Sequence, residues 1–165
     1  MHELLSLIVG AILALTGMPP ESLALRVADR LVTACDGPQT CATAHALRAR
    51  VYAHNFDYGA ALVDVDRALT YRPDDGALYL QRGQVNLLLY EWDRSLEDYN
   101  RGLEYSPDSE EIYYYRGLLY YTWLRRDEAQ RDFERVLLLA PRSGKAAEVR
   151  RYLQAIEAER SALDN

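Results

Sequence analysis

Little in this chain of 165 residues is suited to chemistry: three histidines, two cysteines, two tryptophans and two phenylalanines. One of the histidines is residue 2, which leaves few groups for acid–base work near neutral pH. No serine–histidine–aspartate arrangement and no glycine loop for phosphates is present, so no catalytic residue, no enzyme activity and no cofactor are expected. A basic excess is also missing. The 19 Lys and Arg are outnumbered by 25 Asp and Glu, for a net charge of −6 and a pI near 5.1, which runs against a phosphate-binding surface and excludes nucleic acid as the expected partner. No uncharged run reaches the roughly 20 residues that cross a bilayer.

The longest such run, LLSLIVGAILALTGM at residues 4–18, fits the apolar part of an export signal or anchor. Only His2 and Glu3 precede it in place of Lys or Arg, and no clean small-x-small cleavage site follows. A buried first helix is the alternative reading. Cys35 and Cys41 flank DGPQT, a turn-forming run, so a disulfide is open to them, adding about 2 kcal/mol for so small a ring. With an export signal that pair fits an oxidising compartment, and the chain is expected to be exported or associated with the cell envelope; without one it is cytoplasmic. A metal site using Cys41, His45 and His54 matches no standard zinc spacing, and no metal is expected.

What is present is ordinary in bulk, 49% apolar and 27% charged, as in a globular protein with a core. The anomaly is thirteen tyrosines to two phenylalanines. Five of them fall in EIYYYRGLLYYTW, residues 111–123. The second feature is a period of 34 residues: Pro73, Pro107 and Pro141 each close a similar segment, RALTYRP, RGLEYSP and RVLLLAP. Three units then align without a gap from Ala42, Gly76 and Glu110. In each, a large, a small and a large residue recur at helical spacing: His45, Ala49 and Tyr52; Tyr79, Gly83 and Asn86; Tyr113, Gly117 and Tyr120. Ala61, Val65 and Ala68, then Ser95, Tyr99 and Gly102, then Ala129, Phe133 and Val136 mark a second helix. Small residues let two antiparallel helices approach while the large ones fill the space beside them.

On these residues the units resemble tetratricopeptide repeats (TPR), whose pattern places Trp, Leu, Gly and Tyr in the first helix and Ala, Phe and Pro in and after the second. The resemblance covers residues 42–143 and departs at Asn86, at Gly102 and at the expected Trp and Leu positions. It implies an all-α fold, an α-solenoid of antiparallel helix hairpins forming a TPR superhelix. The expected organisation is an apolar leader at 1–20, a degenerate helix and turn at 21–41, repeats at 42–75, 76–109 and 110–143, and a capping helix at 144–165. Leu23, Val27, Leu31 and Ala34 are the expected packing face upstream, and Val149, Tyr152, Leu153 and Ile156 that of the cap.

Where the family pattern has Leu, this chain has Arg48, Arg82 and Arg116, on the same stripe as buried positions, where an unpaired guanidinium is costly. Asp64, Asp98 and Asp132 lie as far after each hairpin turn as the arginines lie before it. The spacing predicts three partly buried Arg–Asp pairs.

Tyr114 and Tyr121 are each one residue beyond the core positions, about 100° around the helix. The resemblance implies that first helices line a concave surface where peptides or partner proteins lie. Carried across, that surface holds Arg50 with Ala46 and Ala53 in the first unit, Leu80, Gln84 and Leu87 in the second, and Tyr114, Leu118 and Tyr121 in the third. A non-enzymatic protein–protein interaction scaffold with a protein or peptide ligand is the leading expectation. The alternatives are that the C-terminal helix covers Tyr114 and Tyr121, and that the chain is an envelope-associated assembly factor that self-associates as a homo-oligomer, touching a membrane only through residues 4–18.

Overall fold

A computed structural model describes residues 20–163. Eight helices make up the described residues: α1 (Pro20–Ala34), α2 (Pro38–His54), α3 (Tyr58–Tyr71), α4 (Gly76–Leu88), α5 (Trp92–Tyr105), α6 (Glu110–Thr122), α7 (Arg126–Leu139) and α8 (Ala146–Leu163). None is long and apolar enough to cross a membrane. The chain divides into two compact units, one ending at Pro73 and one starting at Asp74. The alternative readings of residues 4–18 lie outside the described residues.

Both units are built from one hairpin, and local chemistry sets its ends. The second helix of the first hairpin starts where the Asp57 carboxylate accepts from the Ala60 amide. Asp75 and Ser109 do the same for α4 and α6, accepting from Ala77 and Ile112; each cap satisfies a donor that the first turn leaves open. The first helices all stop alike. Phe56, Tyr90 and Leu124 adopt φ of 63°, 61° and 60°, and the next amide reaches back five residues, Asp57 to Tyr52, Glu91 to Asn86 and Arg125 to Tyr120, at 2.9 Å each. That is the left-handed helix stop usually made by glycine.

In unit 1, α2 and α3 form a hairpin with an alanine-rich core of Ala42, Ala49, Ala61 and Ala68 around Val65. α1 lies against α2, and Cys35 and Cys41 form a disulfide between them with Cα atoms 5.0 Å apart. Two details differ from the sequence expectation. Residues 38–41 are the first turn of α2 rather than loop, since Pro38 suits the start of a helix. α1 buries Ala28, with Leu25 and Val32 half-buried, whereas Val27, Leu31 and Ala34 of the expected face are exposed. The rotation follows from Asp29, whose carboxylate accepts from Arg48 of α2 at 3.0 Å and so turns that side of α1 inward.

Unit 2 stacks the hairpins α4–α5 and α6–α7 and closes on α8. Close approach is made at glycines: a methyl built on Gly83 would stand 2.6 Å from Tyr99 Cε1, and one on Gly117 would stand 2.8 Å from Phe133 Cε1. The rings of Tyr99 and Phe133 thus lie directly against helix backbone, with no room for a side chain between them. Phe133, Val136, Val149 and Ile156 carry the core onto α8.

Candidate functional site: a helix face in unit 2 and the ladder beneath it

The three arginines and three aspartates meet in pairs. Arg48 donates from Nε to Asp64 Oδ2 at 2.6 Å and from Nη2 to Oδ1 at 2.8 Å. Arg116 grips Asp132 the same way, at 2.8 and 2.7 Å, and Arg82 directs Nε and Nη2 at Asp98 Oδ1, at 3.0 and 2.7 Å. All three carboxylates are buried. The Asp64 bonds raise the Arg48 pKa against the cost of burial. Burial also works against the Arg116 charge, and the Asp132 bonds more than offset it. For Asp64, burial pushes the carboxyl up, but Arg48 and His45 outweigh it and hold it below the ordinary range. Burial wins at Asp98, whose carboxyl is raised in spite of Arg82 and Asn86.

The ladder explains departures from the repeat pattern and several tyrosines. His45 Nδ1 donates to Asp64 at 2.9 Å, and Asn86 donates to the second Asp98 oxygen at 2.8 Å. The Arg116 guanidinium sits between the rings of Tyr113 and Tyr120, at 5.6 and 5.7 Å from their centroids. Arg82 lies over Tyr79 at 5.4 Å and Arg48 over Tyr52 at 5.8 Å. Tyrosine suits this place because its ring face attracts the cation while its hydroxyl remains wet. The pairs are built into hairpin interiors as structural ties.

The expected partner-binding residues do not share one environment. Arg50 is exposed on α2 in unit 1. Leu80 is buried with Tyr99, Ile112 and Leu119, and so belongs to the core. Tyr114 is only 7% exposed; α8 covers it, and its hydroxyl donates to Glu148 at 2.8 Å. Burial, then that bond to a carboxylate, push its pKa above the usual tyrosine value, so it stays a donor across the physiological range. These two residues are corrections: their side chains point along the stacking direction, where the next helix lies.

Gln84, Leu87, Leu118 and Tyr121 are half-buried on α4 and α6, and α8 extends the same face. Tyr152 stands edge-on to Tyr121 with centroids 4.9 Å apart, and Glu148 is exposed beside it. Tyr121 is held from the other side by Arg126, 4.1 Å from its ring centroid. Lys145 pairs with Glu111 at 3.4 Å. Tyr152 and Glu148 joined this face unforeseen, although the period signals both: Leu118 and Tyr152 are 34 residues apart, as are the bonded pairs Tyr114 and Glu148, and Glu111 and Lys145. α8 therefore occupies the place of a further first helix. Among the described residues, no group of three or more His, Cys, Asp or Glu is arranged to hold a metal.

A family model described as TPR repeat matches residues 91–122. The structure resembles the first TPR of Spaghetti (RPAP3) bound to the HSP90 peptide SRMEEVD, with a TM-score of 0.65 at 23% identity over 70% of this chain and 95% of that one. It also resembles the TPR2B domain of yeast Sti1 in complex with pHsp70, with a TM-score of 0.66 at 15% identity over 72% and 97%. MamA aligns over 88% of this chain and 92% of its own, with a TM-score of 0.62 at 16% identity. At these identities the likeness is one of fold. No curated protein matches the chain in sequence.

Proposed function

We propose, from the chain's membership of the tetratricopeptide-repeat family, that it is a non-enzymatic scaffold whose α4–α6–α8 face holds an extended peptide or an amphipathic helix of another protein. The observation that carries this reading is that Leu118, Tyr121 and Tyr152 pack half-buried against one core cluster, with Leu87 half-buried on the neighbouring one. Leu87 and Leu118 supply apolar contact. Tyr121, fixed between Arg126 and Tyr152, loses little freedom when a ligand packs on it, which favours it as an anchor. Gln84 offers both a donor and an acceptor to a ligand's backbone.

Similar domains that hold HSP90 and Hsp70 peptides support a peptide as the class of ligand. In the subclass that clamps a C-terminal carboxylate, Lys and Asn stand on this face. Here Leu87 stands on it, so the favoured ligand is apolar and internal to its chain, with Glu148 and Arg126 reading charges at its flanks.

The test is selection from a displayed peptide library, followed by calorimetry of the best binder. Leu118→Glu is expected to weaken binding at least about tenfold, or 1.4 kcal/mol, with the unfolding midpoint kept. Unchanged affinity in both Leu118→Glu and Gln84→Ala refutes the assignment of this face.

A further inference from the structure

The first helix of each hairpin ends in a left-handed residue, and in none of the three is it the glycine that such a position favours. Phe56, Tyr90 and Leu124 have φ of 63°, 61° and 60°, a region that L side chains enter at a conformational cost. Burial does not offset it. The three residues are 79%, 81% and 74% exposed, so their large apolar side chains add nothing to the core. Phe56, in unit 1, has the Tyr58 ring beside it at 6.3 Å.

In unit 2 the two tips share one patch. Trp92 and Trp123, from the same two turns, meet with ring centroids 6.2 Å apart, and Leu88 and Leu89 beside Tyr90 are 49% and 37% exposed. Two adjoining turns thus carry four exposed apolar side chains over a half-buried tryptophan pair. An exposed apolar edge held out by strained residues marks an interaction surface.

The charges at the tips indicate what covers it. Tyr90 is followed by Glu91, which is exposed and makes no capping bond, and Leu124 is followed by the exposed Arg125. Arg125 donates from Nε and Nη2 to Glu128 at 2.8 and 2.5 Å, which leaves Nη1 without an acceptor among the described residues. One turn therefore offers an unused carboxylate and the other an unused guanidinium donor. A lipid surface fits the apolar tips but not Glu91 and the exposed Asp93, which would lose water there without gaining a donor.

We infer that this edge is a homodimer interface, in which a two-fold axis sets the Tyr90 turn of each copy against the Leu124 turn of the other. In such a contact residue i meets j and j meets i, so one interface makes two Tyr90–Leu124 contacts and two Glu91–Arg125 ion pairs. Setting like turn on like would put Glu91 against Glu91. Each copy covers the tips of its partner, and each carboxylate gains the donor that its own chain does not supply. None of the side chains assigned to ligand binding lies in these turns, so the two readings stand or fall separately.

Sedimentation equilibrium on the full chain tests the inference. The wild type is expected to be a dimer that dissociates on dilution. Glu91→Arg and Arg125→Glu each set like charges face to face twice per dimer, and each is expected to weaken association at least about tenfold. Mixed in equal amounts, the two variants are expected to pair again, because their exchanged charges match across the mixed interface. A misfolded variant cannot give that recovery. Tyr90→Gly with Leu124→Gly is the control for the fold: glycine suits the left-handed position, so the unfolding midpoint of the monomer is expected to hold or rise while the dimer is lost. A wild type that stays monomeric up to about 1 mM, a dimer indifferent to both charge variants, or a mixture that stays monomeric overturns the inference. So does a glycine variant that still dimerises or whose monomer has a lower midpoint. Binding of the wild type to phosphatidylcholine vesicles that the glycine variant lacks assigns the edge to lipid and overturns it too.

Discussion

Replacing Arg116 and Asp132 by leucine, singly and together, asks whether the ladder is a set of ties or a coincidence of spacing. Asp132 is buried and takes two bonds from Arg116, at 2.8 and 2.7 Å. Asp132→Leu leaves two guanidinium donors against an apolar side chain, and breaking a buried pair from one side costs about 3–5 kcal/mol. The low end applies, because the Arg116 side chain is 19% exposed and Nη1 keeps its 2.7 Å bond to Asn100; the expected loss is about 3 kcal/mol. Arg116→Leu strands a buried carboxylate and costs at least as much. With both changed no charge remains to be solvated, and the double variant is expected within about 1 kcal/mol of the parent. Both tryptophans, Trp92 and Trp123, lie in unit 2, so urea unfolding followed by tryptophan fluorescence reports this unit, with an unchanged slope as the check on cooperativity. A double variant as unstable as the sum of the single ones would refute the pairing.

Gly83→Ala is expected to destabilise unit 2 by about 1–3 kcal/mol, because the new methyl meets the Tyr99 ring rather than a flexible chain end; adding Tyr99→Val, which copies the Ala49 and Val65 pair of unit 1, is expected to recover most of the loss in the same fluorescence assay. Asp64 has a lowered pKa in the folded chain, so its stabilising effect is present above the ordinary carboxylate pKa of about 3.9 and is lost as pH falls below it. Circular dichroism during acid titration should therefore show a shallower loss for Asp64→Asn, while Asp98→Asn, whose parent carboxyl is raised, should show no such flattening. Removing the disulfide with Cys35→Ser and Cys41→Ser is expected to cost about 2 kcal/mol, seen as faster hydrogen exchange over α1 and little change in tryptophan fluorescence from unit 2.

The fold was legible because the repeat places small residues where helices cross: Gly83 and Gly117 carry a packing constraint that can be read without coordinates. The Arg–Asp partners were legible for a related reason, since equal distance from a turn brings two residues level. The proposed binding face was legible only in part. Leu80 and Tyr114 lie on the side of their helices that a first-helix pattern alone leaves open, and what closes it is the next helix, α6 for Leu80 and α8 for Tyr114. A cap whose packing face is read only from its own periodicity does not reveal that Glu148 will accept from a tyrosine one period earlier. The α1 face was misjudged for the opposite reason: its apolar stripe of Val27 and Leu31 is real but turned away from α2.

These cases share one physical rule. At each hairpin crossing the packing fixes a combined volume and a combined charge, not a residue type. Gly83 with Tyr99 and Ala49 with Val65 fill comparable space by different divisions of it. Arg82 needs Asp98, and where Tyr120 would flank an arginine, Asn86 instead occupies the free oxygen of the aspartate. A reading position by position sees Asn86 as a lapse from the pattern. Read pair by pair it is a completed hydrogen-bond set, since Asp98 is buried too deeply to leave an acceptor idle. Asn86→Tyr, which restores the common residue, is therefore expected to destabilise unit 2 by about 1–3 kcal/mol, because it removes a donor from a buried carboxylate. Fluorescence-detected urea unfolding measures it, and an equal or higher midpoint for Asn86→Tyr would show that the single position, and not the pair, is what the packing fixes.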